Sequence, residues 1–126
     1  MVDPRWEGES VQFDRATRTA LERVAEEMAA IARRGPAVPG SLVRRYTRCG
    51  KPGCRCKGEP PRPHGPYWSW TRKIGNKTVT RYLSEEQHDD YAVLFENARR
   101  MRALLDELES LGLALVESDD RWRAER

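Results

Sequence analysis

The chain has 126 residues, 38% hydrophobic and 34% charged, with a formal net charge of +3. That length allows one domain, or a small core with helical arms, and leaves little room for a large independent core. No run of about 18 apolar residues occurs, and the start Met1-Val2-Asp3-Pro4-Arg5-Trp6 has no apolar signal region; the expectation is a cytoplasmic protein with no membrane association.

A first helix is expected from about Ser10 or Asp14 to Arg34, where Gly35-Pro36 stops it. Phe13, Thr17, Leu21, Val24, Met28 and Ile31 are its apolar positions. From Thr17 they step 4-3-4-3, the narrow seam of a helix that pairs with another helix. The linker Gly35-Pro36-Ala37-Val38-Pro39-Gly40 then breaks the chain.

The middle reads as β structure. Leu42 to Arg48 fits a short strand, and Tyr67 to Ile74 with Lys77 to Leu83 fits a hairpin around Gly75-Asn76. A two-residue turn there pairs Ile74 with Lys77, Arg72 with Val79, Trp70 with Arg81 and Trp68 with Leu83. Alternation puts Trp68, Trp70, Arg72, Ile74, Val79, Arg81 and Leu83 on one face. Tyr67, Ser69, Thr71, Lys73, Thr78, Thr80 and Tyr82 take the other, which suits solvent or a ligand.

Ser84-Glu85-Glu86-Gln87 is a capping box, and a second helix should follow to about Leu111, with Gly112 as its end. Tyr91, Leu94, Ala98, Met101, Leu105 and Leu108 step 3-4-3-4-3, which matches the first helix and predicts an antiparallel pair. Phe95, Leu104 and Leu111 add a second stripe, either core under the β segment or a dimer face. Beyond it, Leu113 to Val116 form at most a docking turn, and Glu117 to Arg126 are loose apart from Trp122, which packs or anchors a partner. His88, in the first turn, is read as solvent-facing.

Cys49, Cys54, Cys56 and His64 have the spacing C-x4-C-x-C-x7-H. Zinc takes four soft or borderline ligands in a tetrahedron, and thiolates with one imidazole are a standard structural set. A disulfide would strand the third cysteine in a compartment that keeps thiols reduced. Buried free thiols without metal are a second alternative. If His64 is instead a loop histidine beside Gly65-Pro66, three cysteines would need another fourth ligand. Four protein ligands leave no open position, so the expected Zn2+ is structural rather than catalytic.

Charge is segregated. Residues 41–83 carry eleven Lys/Arg against the single acid Glu59, a balance of +10, while the flanks sum to −7. Such a basic middle is the footprint of an anionic partner. Enzyme motifs are absent: there is no phosphate-binding G-x-x-x-x-G-K-[ST], no G-x-S-x-G and no H-E-x-x-H. Glu85, Glu86, Asp89 and Asp90 cluster where a helix dipole favours acids, so a paired-carboxylate nuclease, or a recombinase accessory role, is only the weaker alternative.

At "CGKPGCRC…HGPYWSW…GNKTVTRYLSEE" the chain resembles a family of short, uncharacterised prokaryotic proteins often found near transposases and other mobile elements. They share a C-G-K-P-x-C-x-C stretch, H-G-P-Y, a β-hairpin and a C-terminal helix, and the likeness runs from about Gly40 to Leu108. The resemblance implies no activity; it implies that Cys49, Cys54, Cys56 and His64 act as a unit. At the level of fold, "YWSWTRKIGNKTVTRYLSEEQ" is also similar to the three-stranded sheet and helix with which tyrosine recombinases hold DNA.

The combined expectation is an α+β protein: residues 1–40 an N-terminal helix and linker, 41–83 a zinc-braced three-stranded antiparallel module, 84–126 a long helix packed antiparallel on the first, together one compact domain. Its function would be non-enzymatic nucleic-acid binding, to DNA rather than RNA, tied to a mobile element or to transcriptional control and with a homodimer through the helices. Arg44, Arg45, Arg48, Lys51, Arg55, Lys57, Lys73 and Lys77 would hold phosphates, and Tyr67, Thr71, Thr78 and Thr80 would lie against a groove. For a single strand, Tyr67, Trp68 or Trp70 would stack on bases. The alternative is a protein-protein adaptor that uses the helical stripes. No small-molecule substrate is evident.

Overall fold

In a computed structural model that describes residues 12–125, the chain runs α1 (Arg15–Arg34), β1 (Ser41–Thr47), β2 (His64–Ile74), β3 (Lys77–Leu83) and α2 (Glu85–Glu117). Short 3-10 helices occur at Arg55–Lys57 and Asp120–Glu125. The class is α+β, and the sheet is antiparallel in the order β1-β2-β3. Two compact units emerge: α1 with the residues from Arg100 onward, and Gly35–Arg99. α2 contributes its first half to one unit and its second half to the other.

In the helical unit, Asp14 caps α1 by accepting a 2.7 Å hydrogen bond from the Thr17 N–H, which satisfies one of the orphan donors of the first turn. Ser10, the earlier expected start, lies outside the described residues. Arg33 and Arg34 sit where the helix dipole favours cations. Val24 and Ile31 of α1 are buried with Leu104 of α2, and Met28, Met101 and Leu108 pack around them. The exposed Arg23 and Glu107 pair across these antiparallel helices.

The seam on α2 differs by one position from the periodicity. Leu104 is 8% exposed while Leu105 is 38% exposed. The buried sequence is therefore Met101-Leu104-Leu108, and the stripe that contains Leu104 faces the core. α2 also continues through Gly112 to Glu117. A glycine ends a helix by adopting a left-handed conformation, and Gly112 does not adopt one. The end comes at Ser118, whose Oγ donates to the Leu115 carbonyl at 2.8 Å, and the Trp122 indole N–H donates to the Val116 carbonyl at 2.6 Å. The segment expected to be loose thus begins as ordered helix.

In the second unit the hairpin pairs as the two-residue turn requires, from Ile74 with Lys77 to Trp68 with Leu83. The capping box closes reciprocally: the Ser84 N–H donates to Gln87 Oε1 at 3.0 Å, and the Gln87 N–H to Ser84 Oγ at 3.1 Å. The helix so started lays Phe95 edge-on to Trp70, ring centroids 5.7 Å apart. Phe95 and Leu83 are buried there. His88 is not solvent-facing: it stacks on Trp68 at 3.8 Å with the planes 7° apart, since α2 begins directly after Leu83, the β3 residue paired with Trp68. The Gly35–Gly40 segment is stitched to this unit. The Val38 N–H donates to the Leu94 carbonyl, Asn97 Nδ2 to Pro36 and the Trp70 indole to Pro39, at 3.0, 3.1 and 2.9 Å. Gly40 has φ +118°, and a Cβ there would stand 2.5 Å from Trp70 Nε1, so only glycine permits the indole's bond to Pro39.

The core under the sheet is small. An apolar cleft of about 220 Å³ remains among Val38, Trp70, Leu83, Tyr91, Leu94 and Phe95. Urea denaturation should separate the two seam positions: Leu104→Ala costs roughly 2–5 kcal/mol by opening a cavity, and Leu105→Ala costs less than about 1 kcal/mol.

Candidate functional site

The ladder between β1 and β2 determines where the cysteines meet the histidine. Register runs from Ser41 opposite Thr71 to Arg45 opposite Tyr67, then shifts at a bulge so that Thr47 faces His64. Cys49, two residues past Thr47, therefore arrives beside the residue that opens β2. Gly65 makes the approach possible. Its φ is +124°, and a Cβ would lie 2.9 Å from the Arg45 carbonyl oxygen, too close for any side chain. Between the strands the chain makes one 3-10 turn, Arg55–Lys57, with the Lys57 N–H on the Cys54 carbonyl at 3.0 Å. Arg62 N–H returns to the Arg55 carbonyl at 3.0 Å and closes the proline-rich loop.

These turns bring Cys49, Cys54, Cys56 and His64 together, with all four donor atoms within 4.8 Å of one another. Cys56 is fully buried and the other three are half-buried. The sulfurs of Cys49 and Cys56 lie 3.7 Å apart, too far for a disulfide bond of about 2.05 Å and close to the edge of about 3.8 Å that a tetrahedron with metal–sulfur bonds of about 2.3 Å would have. Cys54 Sγ is 3.1 Å from His64 Nε2, so the imidazole presents that nitrogen to the cluster. The Cys49 N–H donates to Cys56 Sγ at 3.4 Å. Three thiols and an imidazole in this arrangement can hold one metal ion.

The thiols are not equivalent. A hydrogen bond from the Cys56 backbone, reinforced by the Cys49 thiol, lowers the Cys54 pKa to about 6. Cys49 moves the other way: the Lys51 N–H pulls it down, but proton sharing with Cys54 and burial outweigh that and raise it.

Glu85, His88 and Asp89 also bring donor atoms within 4.8 Å of one another, but they already have partners. Glu85 accepts from Arg44 Nε at 2.8 Å, and His88 Nδ1 and Asp89 Oδ1 lie 3.2 Å apart.

The cations expected on one surface divide into three groups. Arg45 and Lys73 share the sheet face with Tyr67, Thr71, Thr78 and Thr80, and on that face the Thr71 and Thr80 hydroxyls lie 3.3 Å apart. Arg48, Lys51, Arg55 and Lys57 are exposed around the cysteine loop. Arg44 and Lys77 fall on the opposite face, Arg44 bound to Glu85 and Lys77 at the hairpin tip. Trp68 and Trp70 pack against His88 and Phe95 and are not on the open face. Of the stripe residues, Phe95 and Leu104 are core and Leu111 is half-buried. Tyr82, not among the expected contact residues, is 62% exposed on the same open face, where its alternation with Leu83 puts it.

Comparison with known proteins adds a family. The family described as "Domain of unknown function (DUF6788)" matches residues 15–92, which include the whole cysteine cluster, the sheet and the start of α2. No curated protein and no solved structure matches.

Titration of the full chain with cobalt(II), followed by its visible absorption, should saturate at one ion with a tetrahedral thiolate spectrum. Cys56→Ser should abolish that spectrum, His64→Cys should keep it, and Gly65→Ala, which displaces His64, should weaken binding by about tenfold or more.

Proposed function

The chain belongs to the DUF6788 family, whose description assigns no function, and from its own geometry we propose a non-enzymatic, zinc-stabilised protein that binds DNA. The observation that carries this reading is the open sheet face. Residues 41–83 hold eleven cations and one acid, and α2 covers only the side of the sheet that bears the tryptophans, leaving Arg45 and Lys73 among threonines on the other. Phosphate contacts by Lys and Arg release condensed counterions and supply most of the affinity of such surfaces. Arg48, Lys51, Arg55 and Lys57, exposed around the cysteine loop, add positive charge beyond the end of β1.

Zinc is the metal that suits three thiolates and one imidazole in a closed four-ligand site. A closed site leaves no coordination position for a substrate, which is why the reading is structural. The ion supplies folding energy to a unit with few buried apolar side chains.

A second reading, an adaptor or homodimer, is favoured by Leu105, Leu113 and Val116, all exposed along the second half of α2. Salt separates the two, because apolar association does not weaken as ionic strength rises.

In anisotropy titrations with the full chain, DNA affinity should fall steeply between low and moderate salt. Arg45→Ala with Lys73→Ala should reduce the slope of log affinity against log salt by about one per cation removed, and Arg44→Ala, whose charge Glu85 already neutralises, should leave it nearly unchanged. Failure to bind any nucleic acid at low salt would favour the adaptor.

A further inference from the structure

The open face carries two tyrosines that the core does not use. Tyr67 is 39% and Tyr82 62% exposed, and with Thr47 they line an open groove of about 340 Å³. Their placement follows from the register. Ser69 faces Tyr82 across the β2–β3 ladder, and Tyr67 lies two residues before Ser69 on the same face, so the tyrosines are diagonal neighbours. Ser69 itself, opposite Tyr82 and two residues after Tyr67, is buried.

Among the described residues neither tyrosine ring is stacked on another aromatic, whereas Trp68 and Trp70 are each engaged by α2. A singly exposed aromatic is ordinary on a protein surface. Two of them flanking a groove inside the most basic part of the chain are a more specific arrangement. Arg45 is the direct cross-strand neighbour of Tyr67, and Lys73 lies farther along the same face. Flat π surfaces between cations suit a polymer that alternates flat rings with negative charges. A duplex keeps its base faces stacked inside and offers them to no tyrosine; an unpaired strand exposes them.

We propose that this groove receives an unpaired base of single-stranded DNA, stacked against Tyr67 and Tyr82 while Arg45 and Lys73 draw the flanking phosphates along the sheet. The proposal rests on the nucleic-acid reading above and adds the strand state and the two stacking residues. Deoxyribose is carried over from the DNA reading above, since the hydroxyls of Thr47, Tyr67 and Tyr82 do not by themselves distinguish the two sugars; the oligouridylate arm of the test does.

The test is fluorescence anisotropy of the full chain with labelled oligothymidylate, a duplex of equal length and oligouridylate, at two salt concentrations. Tyr67→Leu and Tyr82→Leu keep apolar bulk on the strand and remove the π face, Tyr82→Phe keeps that face, and matched thermal melts confirm folding. Oligothymidylate should bind more tightly than duplex. Each leucine variant should lose about 5- to 150-fold in affinity with the salt slope unchanged, and Tyr82→Phe should bind like the parent. Leucine variants that bind normally, while Arg45→Ala with Lys73→Ala binds weakly, would overturn the stacking proposal and leave the basic-face reading standing. Duplex binding as tight as single-strand binding, or tighter binding of oligouridylate, would also overturn it. Absence of any salt-dependent binding would remove both readings.

Discussion

The convergence of three sulfurs and one imidazole nitrogen within 4.8 Å is the constraint on which the β unit depends. Residues 48–63 join β1 to β2 with a single 3-10 turn between them. Connections longer than about 12–15 residues with so little structure are uncommon in small domains unless something ties them down. The core on the other side of the sheet offers limited help, with Leu83 and Phe95 buried beside an open apolar cleft. Cys56 is the buried side chain within that connection, so the thiol cluster takes the place that a hydrophobic plug would occupy in a larger protein. The cluster lies where the bulged end of β1 meets the first residue of β2, so a metal held there would fasten that end of the ladder.

From that junction the sheet acquires two unlike sides. One presents Trp68, Trp70 and Leu83 to α2, where His88 stacks and Phe95 packs edge-on. The other is left with tyrosines, threonines, Arg45 and Lys73. The same alternation that packs the tryptophans against α2 therefore creates the open aromatic and cationic surface, and packed and open residues interleave at every second position. Arg44 and Arg45 make the point in adjacent positions: the first is engaged by Glu85, and the second stands on the open face next to Tyr67.

Much of this was legible in the sequence where local chemistry leaves one answer. The two-residue turn at Gly75-Asn76 determines every pair of the hairpin, and Ser84 with Gln87 determines where α2 starts. The four metal-ligand candidates were legible for a similar reason, since few arrangements satisfy three cysteines and a histidine so close in the chain. What was not legible depends on tertiary contact. Leu104 and Leu105 are both leucines one step apart, and only the angle at which α2 meets α1 decides which is buried. Gly112 carries an intrinsic helix penalty of about 1 kcal/mol, yet helix continues across it to Glu117. His88 looked like a surface residue of a first turn because nothing local reveals that Trp68 lies across from it. The alternation puts Tyr82 on the face that it occupies, but its proposed role depends on Tyr67 being a diagonal neighbour across the ladder.

The central claim is that a metal held by Cys49, Cys54, Cys56 and His64 fastens β1 to β2. Amide hydrogen exchange on the purified full chain, before and after removal of metal by a chelator and with zinc content measured by native mass spectrometry, tests it most directly. The account predicts one zinc per chain, loss of protection across Leu42–Arg45 and Tyr67–Trp70 on chelation, and its return when zinc is restored. A chain that carries no zinc, or one whose strand amides are equally protected with and without chelator, would contradict it.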